Sequence, residues 1–426
     1  MRKLKKLNLD ELVTENIITP EIANKIWAYN EKKQADAPNR LGMALSILGA
    51  ALIGLGIMLI VAHNWDDLSR PIKTILAFLP MLIGQLACGY TLFKQSGSAT
   101  WRESSATFLF FAVGTCIGMV SQIYNLEGEL GAFLLTWMLL VLPLVYVMQS
   151  SIVALLYIGG ITWYATNCGY GQDHEPYLYW LLLVAILPYY YQLYQNRPNS
   201  NSFNAHSWAI AISILVALGL WAHEASELMW IAYISLLALY FLIGSQPFFH
   251  NKSSRNNPYL LIGIFGTLGL FLGFTFYDFL EEVIGNDLEQ KALVFHQEFW
   301  VSLLLVIASL YLLRRLNPLQ NFAKISPLPF GFLLFLFIFF IGHYVPTVGV
   351  VLSNLFVLAT GLFYIKRGNE LHKLSVLNLG LLTIAALIIC RFFDIEMSFV
   401  TRGILFVMVG IGFFVANYQL LNRRGT

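Results

Sequence analysis

Apolar residues gather along the chain into fourteen blocks, at 41–62, 72–93, 106–124, 130–148, 151–167, 177–194, 207–222, 228–244, 259–280, 299–313, 328–344, 345–365, 371–390 and 399–421. The blocks are apolar on every side rather than striped, which predicts helices immersed in hydrocarbon instead of helices leaning on a water-facing core. Several are close to the shortest length that spans a bilayer, so one or two could be tilted, half-inserted or merged. Residues 1–40 differ in kind. Leu9, Leu12, Val13 and Ile17 recur at helical spacing, and Thr19, Pro20 and Glu21 form an N-cap, first-turn proline and dipole-matched acid. A second helix carrying Ile22, Ile26 and Tyr29 follows. The predicted fold is therefore all-α: a polytopic bundle of about fourteen spans behind a short cytoplasmic helical hairpin, with domain bounds at 1–40 and 41–426. The hairpin is too small for a core of its own and would dock on the membrane face of the same chain or on a partner. The first apolar block begins too late and runs too long for a cleaved signal peptide, so no processing is expected.

Composition sharpens this picture. Apolar residues make up 58% of the chain and charged residues only 12%, against about a quarter charged in ordinary soluble domains. Mean hydropathy is +0.66. A net charge of +2 offers nothing to nucleic acid, and none is expected as a partner; the bilayer is. Placement of charge matters more. With both termini in the cytoplasm, all but five of the 26 basic residues fall on inward segments, as retention of basic residues requires. The five are Arg70, Lys73, Lys291, Arg391 and Arg402. Outward loops collect Asp66, Asp67, Glu127, Glu129, Asp173, Glu175, Glu224 and Glu227, with a further acidic cluster over 278–298. Removing one central span would invert every later loop and destroy the pattern, so an even number of spans is favoured over any exact count.

Small residues predict where helices approach closely, since packing rather than hydrophobicity drives association within lipid. Gly42, Ser46, Ala50 and Gly54 stand four apart in the first block; Gly269 with Gly273, and Gly412 with Ala416, are shorter versions. The ninth block echoes the first as a glycine-rich helix ending in aromatics and acids, suggesting a weak parallel repeat over 259–426. Cys88, Cys116 and Cys390 lie inside apolar blocks and Cys168 near an edge, with neither disulfide nor metal spacing.

The most distinctive polar cluster is His63, Asn64, Trp65, Asp66 and Asp67 at the outer end of the first block, with Arg70 and Lys73 following. The run GAALIGLGIMLIVAHNWDDLSRPIK resembles the opening of bacterial predicted membrane proteins grouped as domain of unknown function 2157. SQIYNLEG, at 121–128, is similar to that family's Gln-Ile-Tyr corner, and the helical leader fits as well. The resemblance covers roughly the first 150 residues, including a family-like part over 41–167, and RFFDIEMSFVTRGILFVMVGIGFF is similar to the tails of large members. It implies a bacterial inner-membrane location, and it supplies no activity and no catalytic residues.

Two readings of the polar cluster stand side by side. In one, Asn64, Trp65 and Asp66 cap a helix end and anchor it at the interface. In the other, His63, Asn64, Trp65 and Asp66 converge with Gln122, Tyr124 and Asn125 into an outward-facing polar pocket. Arg391, Asp394 and Arg402 either complete that pocket or form a local ion pair between the last two helices, the ion pair being favoured. Gln85, Gln122, Asn354, Asn378 and Asn417 are the main amides within spans, and no Asp, Glu or Lys lies near the centre of any block. That argues against proton- or ion-coupled carriers. The chain has no P-loop, HExxH or GxSxG. His223, Glu224 and Glu227 read as solvated surface, whereas the acidic loop with Glu281, Glu282, Asp287, Glu289, His296 and Glu298 is a better candidate for weak cation or partner binding, a solvated face being the favoured reading. No metal, cofactor or catalytic residue is expected. Three classes remain: a carrier or flippase-like permease for a small or amphipathic molecule; a noncatalytic scaffold or envelope component binding protein partners; and a membrane enzyme acting on a lipid-linked substrate.

Overall fold

In a computed structural model the chain is described at residues 13–15, 19–35, 40–63, 69–169, 177–285, 293–315 and 326–394, and at scattered positions from 400 to 414. The described residues are almost wholly helical, and no strand occurs among them. Among the described residues eight helices are long and apolar enough to cross a membrane, or nine if one bent pair counts as a span. Large apolar side chains stand outward on these helices, Leu86 at 75% exposure, Leu140 at 58% and Leu304 at 66%. Such surfaces are at home against acyl chains, and the protein is an integral multi-pass membrane protein.

Two compact units divide the chain, Met1–Ser213 and Ile214–Thr426. Unit 1 holds α1 (Pro20–Ala35), α2 (Arg40–His63), α3 (Arg70–Lys94), α4 (Ala99–Tyr124), α5 (Leu130–Met148), α6 (Ser151–Gly169), α7 (Tyr177–Asn196) and most of α8 (Asn201–Leu218). Its organising element is α4, which packs against α2, α3, α5 and α6. The α4–α5 contact is fixed by Trp137, whose indole Nε1–H donates to the Phe110 carbonyl at 2.9 Å. Gly114 makes room for that ring, since a Cβ there would lie 2.6 Å from it.

Unit 2 is built around α9 (Leu228–Gly244), which is buried on nearly every side and touches α10 (Pro258–Gly273), α12 (Gln297–Arg315) and α13 (Gly331–Gly342). Ser302 and Ser309 of α12 donate to the carbonyls of Leu228 and Ser235, both at 2.8 Å, so the two helices are joined at two levels. The aromatic core includes Phe274 stacked on Phe335 at 4.7 Å between ring centres. Against this core lie α11 (Tyr277–Ile284), α14 (Pro346–Glu370) and α15 (Leu374–Asp394).

The ninth apolar block, expected as a single span, breaks instead at 274–276, and α11 turns 104° away from α10. The reason is visible in the side chains. Leu280, Val283 and Ile284 are buried while Asp278, Glu281 and Glu282 are exposed, so α11 is amphipathic and would strand three carboxylates in hydrocarbon if it continued straight. Thr275 closes the break, its hydroxyl donating to the Leu272 carbonyl at 2.6 Å.

The stripe in the first block is only partly within view: Gly42 is half-buried, and the side chains of Ser46, Ala50 and Gly54 lie outside the described residues. On α10 the expected register moves. Gly269 has nothing within 4 Å of a Cβ position, and the close approach to α9 is made at Gly263 and Gly266. Gly412 likewise faces open space, and Ala416 lies outside the described residues.

Candidate functional site

A polar cavity of about 700 Å3 forms in unit 1 where α4, α6, α7 and α8 meet. Its geometry begins with the start of α6. Ser150 is the N-cap: its hydroxyl oxygen accepts from the Val153 amide at 3.2 Å, and its hydroxyl donates to Glu103 Oε2. Glu103, from α4 and 7% exposed, accepts the remaining first-turn amides, Ser151 N–H at 3.0 Å and Ile152 N–H at 3.1 Å. A carboxylate from a neighbouring helix thus completes a cap that normally comes from the helix's own third residue. The positive end of the α6 dipole and three donated hydrogen bonds meet the Glu103 side chain in a largely buried place.

The start of α8 is arranged differently. Ser200 caps it by accepting the Phe203 amide at 3.1 Å, yet the amides of Asn201 and Ser202, which line the cavity, make no hydrogen bond among the described residues. Arg102 and Arg197 line the same space. Neither guanidinium has an acceptor among the described residues, and Arg102 Nε is enclosed without one. Tyr189 forms one wall, and its hydroxyl donates to the Gln149 carbonyl at 3.5 Å. Behind it, buried His206 sets its ring 5.6 Å from that of Tyr189. Since a carbonyl can only accept, His206 Nδ1 donates to Ser202 O at 2.8 Å, which leaves the enclosed Nε2 without a partner.

Alongside the cavity, an apolar groove of about 390 Å3 runs down α6 between Trp137 and Trp163. Ile152 and Leu155 line both spaces. Gly159, farther along the groove, has nothing within 4 Å of a Cβ position. A charged, hydrogen-bonding compartment therefore adjoins an apolar trough along one helix.

The sequence-derived candidates fall elsewhere. Asn64, Trp65 and Asp66 lie outside the described residues, as does the side chain of His63, which ends α2. Gln122, Tyr124 and Asn125 are exposed at the end of α4. Asn125 adopts the left-handed conformation, φ 48°, and the amides of Asn125 and Leu126 return to the carbonyls of Gln122 and Ser121; this is a Schellman closure. The Tyr124 hydroxyl lies 3.1 Å from Thr74 Oγ1, tying the corner to α3. In unit 2, Arg391 donates to Thr275 Oγ1 at 3.1 Å and lies 4.9 Å above the Phe276 ring, bracing the α10–α11 break. The Asp394 side chain and Arg402 lie outside the described residues.

Glu298, read from sequence as part of a solvated acidic loop, is 1% exposed. It accepts from the amides of His223 and Ala225 at 2.8 and 3.1 Å, pinning that loop to α12. His296 Nδ1 lies 3.7 Å from Glu224. Among the described residues no group of three His, Cys, Asp or Glu is placed to hold a metal ion.

Hydropathy does not mark Arg102 and Glu103 as helical, because the polar run 102–105 interrupts the apolar pattern. Ser98, whose hydroxyl accepts from the Trp101 amide at 3.4 Å, was the available signal that the helix starts at Ala99. No curated protein and no solved structure matches the chain. Residues 10–154, which supply α4 and the capped start of α6 but not α7 or α8, match the model of a family described as predicted membrane protein (DUF2157).

Proposed function

We propose that the protein is a carrier, of the flippase-like or permease kind, for an amphipathic molecule whose polar part sits in the cavity of unit 1 and whose apolar part lies along α6. The observation that carries this reading is the sharing of Ile152 and Leu155 between a polar cavity and an apolar groove. A site for a purely polar solute needs no trough open to lipid, and a site for a hydrocarbon needs no pair of unneutralised arginines. The distribution of basic residues supports both termini and the mouth of the cavity on the cytoplasmic face of a bacterial inner membrane, with about fourteen spans.

Filling the groove tests the reading. Leucine at position 159 meets no atom at its Cβ, so Gly159→Leu should leave folding intact and occupy the trough. In proteoliposomes carrying a fluorescent single-chain lipid, wild type should speed transfer between leaflets, and Gly159→Leu should cut that acceleration about tenfold, the cost of losing an apolar contact worth about 1.5 kcal/mol. Transfer no faster than in protein-free vesicles would remove the carrier reading. A noncatalytic scaffold is the second reading, favoured by Ile22 and Trp27 standing 47% and 53% exposed on α1, where a protein partner would cover them.

A further inference from the structure

Resting on that reading, we infer that the polar part of the ligand is an oxyanion of the phosphate type, gripped between Arg102, Arg197 and the open start of α8. Four features of the cavity point to one charge sign. Arg102 and Arg197 bring two cations to its wall. Glu103, the carboxylate available to neutralise them, is already committed to Ser150, Ser151 and Ile152 at the start of α6. Arg102 Nε is enclosed without an acceptor, a state that buried polar groups in folded proteins seldom tolerate unless something else supplies the bond. The amides of Asn201 and Ser202 are likewise unspent, and a helix start with free amides is a ready anion site.

The two helix starts make an internal comparison. At α6 the chain provides its own anion, Glu103, and every first-turn amide is satisfied. At α8 it provides none, and Arg102 and Arg197 line the cavity that Asn201 and Ser202 also line. A phosphate offers several acceptor oxygens, enough to meet two guanidinium groups and a pair of amides at once, whereas an alcohol head would leave both positive charges uncompensated and an ammonium head would be repelled by them. The adjoining trough at Ile152 and Leu155 accommodates a tail attached to that head. The ligand class is an anionic, phosphate-bearing amphipath, and the same oxyanion chemistry would also attract free phosphate.

The test uses the full chain in maltoside micelles and counts retained ligand by native mass spectrometry. Three probes separate head from tail: phosphatidylglycerol, diacylglycerol with the same tails, and inorganic phosphate. Wild type should retain phosphatidylglycerol about tenfold better than diacylglycerol, as expected for charge-assisted bonds. Arg102→Gln and Arg197→Gln should each erase most of that preference while leaving diacylglycerol retention unchanged, and Arg197→Lys should restore part of it. Arg197 is exposed, so its variants remain informative should Arg102→Gln fail to fold. Equal retention of the two lipids, or an undiminished preference in both glutamine variants, would overturn the phosphate assignment and leave the amphipathic carrier standing. Displacement of phosphatidylglycerol by an equal concentration of inorganic phosphate would overturn the lipid source of the head. If neither lipid is retained but phosphate is, the amphipathic reading fails and the anion site survives.

Discussion

Glu103→Ala should destabilise unit 1 by about 3 kcal/mol, a larger loss than removal of an ordinary helix cap. The carboxylate accepts from the Ser150 hydroxyl and from the amides of Ser151 and Ile152. Alanine leaves those donors facing one another in a place where Glu103 itself is only 7% exposed. Water reaching the cavity could re-satisfy one of them, which is why the figure stays below the cost of a fully orphaned buried cluster. Glu103→Gln retains one accepting oxygen but loses the charge opposite the α6 dipole and should fall between alanine and wild type. Ser150→Ala removes only the bond to Val153 and the donation to Glu103, and should cost about 1 kcal/mol. Because the two residues share a bond, the double variant should lose less than the sum of the single ones. Thermal unfolding in maltoside, followed by intrinsic tryptophan fluorescence to which Trp137 on α5 and Trp163 on α6 contribute, would register these differences. Equal midpoints for Glu103→Ala and wild type would mean that α6 finds other acceptors.

How much of this was readable beforehand depends on the range of the physical cause. The apolar blocks mark helices because desolvation is a local property of each stretch, and thirteen of the fourteen blocks overlap described helices. Boundaries fared less well where a helix carries polar residues for a purpose. The third apolar block starts at 106, whereas α4 begins at Ala99, and the turns between hold Arg102 and Glu103. Partners of Glu103 lie nearly fifty positions along the chain, a distance over which hydropathy carries no information. Glu298 repeats the lesson, since its acceptor role is defined by a loop more than seventy positions earlier. The Gln122 to Asn125 corner resolves into backbone closure and the Tyr124 contact to Thr74. The break after α10 was legible in principle, since Asp278, Glu281 and Glu282 share one face of a short helix. A window long enough to detect a span averages them away.

Gly263→Leu should cost about 3 kcal/mol, while Gly269→Leu on the same helix should cost nothing and gain about 0.8 kcal/mol from helix propensity. A Cβ at 263 would lie 2.6 Å from the Phe241 amide nitrogen and 2.8 Å from the Leu237 carbonyl oxygen. Both are backbone atoms of α9 and cannot rotate away, so the two helices must separate. Separation would loosen the element that α10, α12 and α13 all pack against, with consequences reaching the serine bonds from Ser302 and Ser309 to α9 carbonyls. Within lipid no hydrophobic penalty pushes parted helices back together, so lost backbone contact is not offset by burial elsewhere. At 269 the Cβ meets nothing within 4 Å, and a leucine there would face the same apolar surroundings as exposed Phe265 one turn earlier. The two substitutions add identical side chains to one helix, so propensity and hydrophobicity cancel and only the α9 contact differs. Unfolding midpoints measured side by side in detergent should separate by about 3 to 4 kcal/mol in free-energy terms. Coincident midpoints would place the α9–α10 approach in a different register and return Gly269 and Gly273 to the position that the four-residue spacing assigned them.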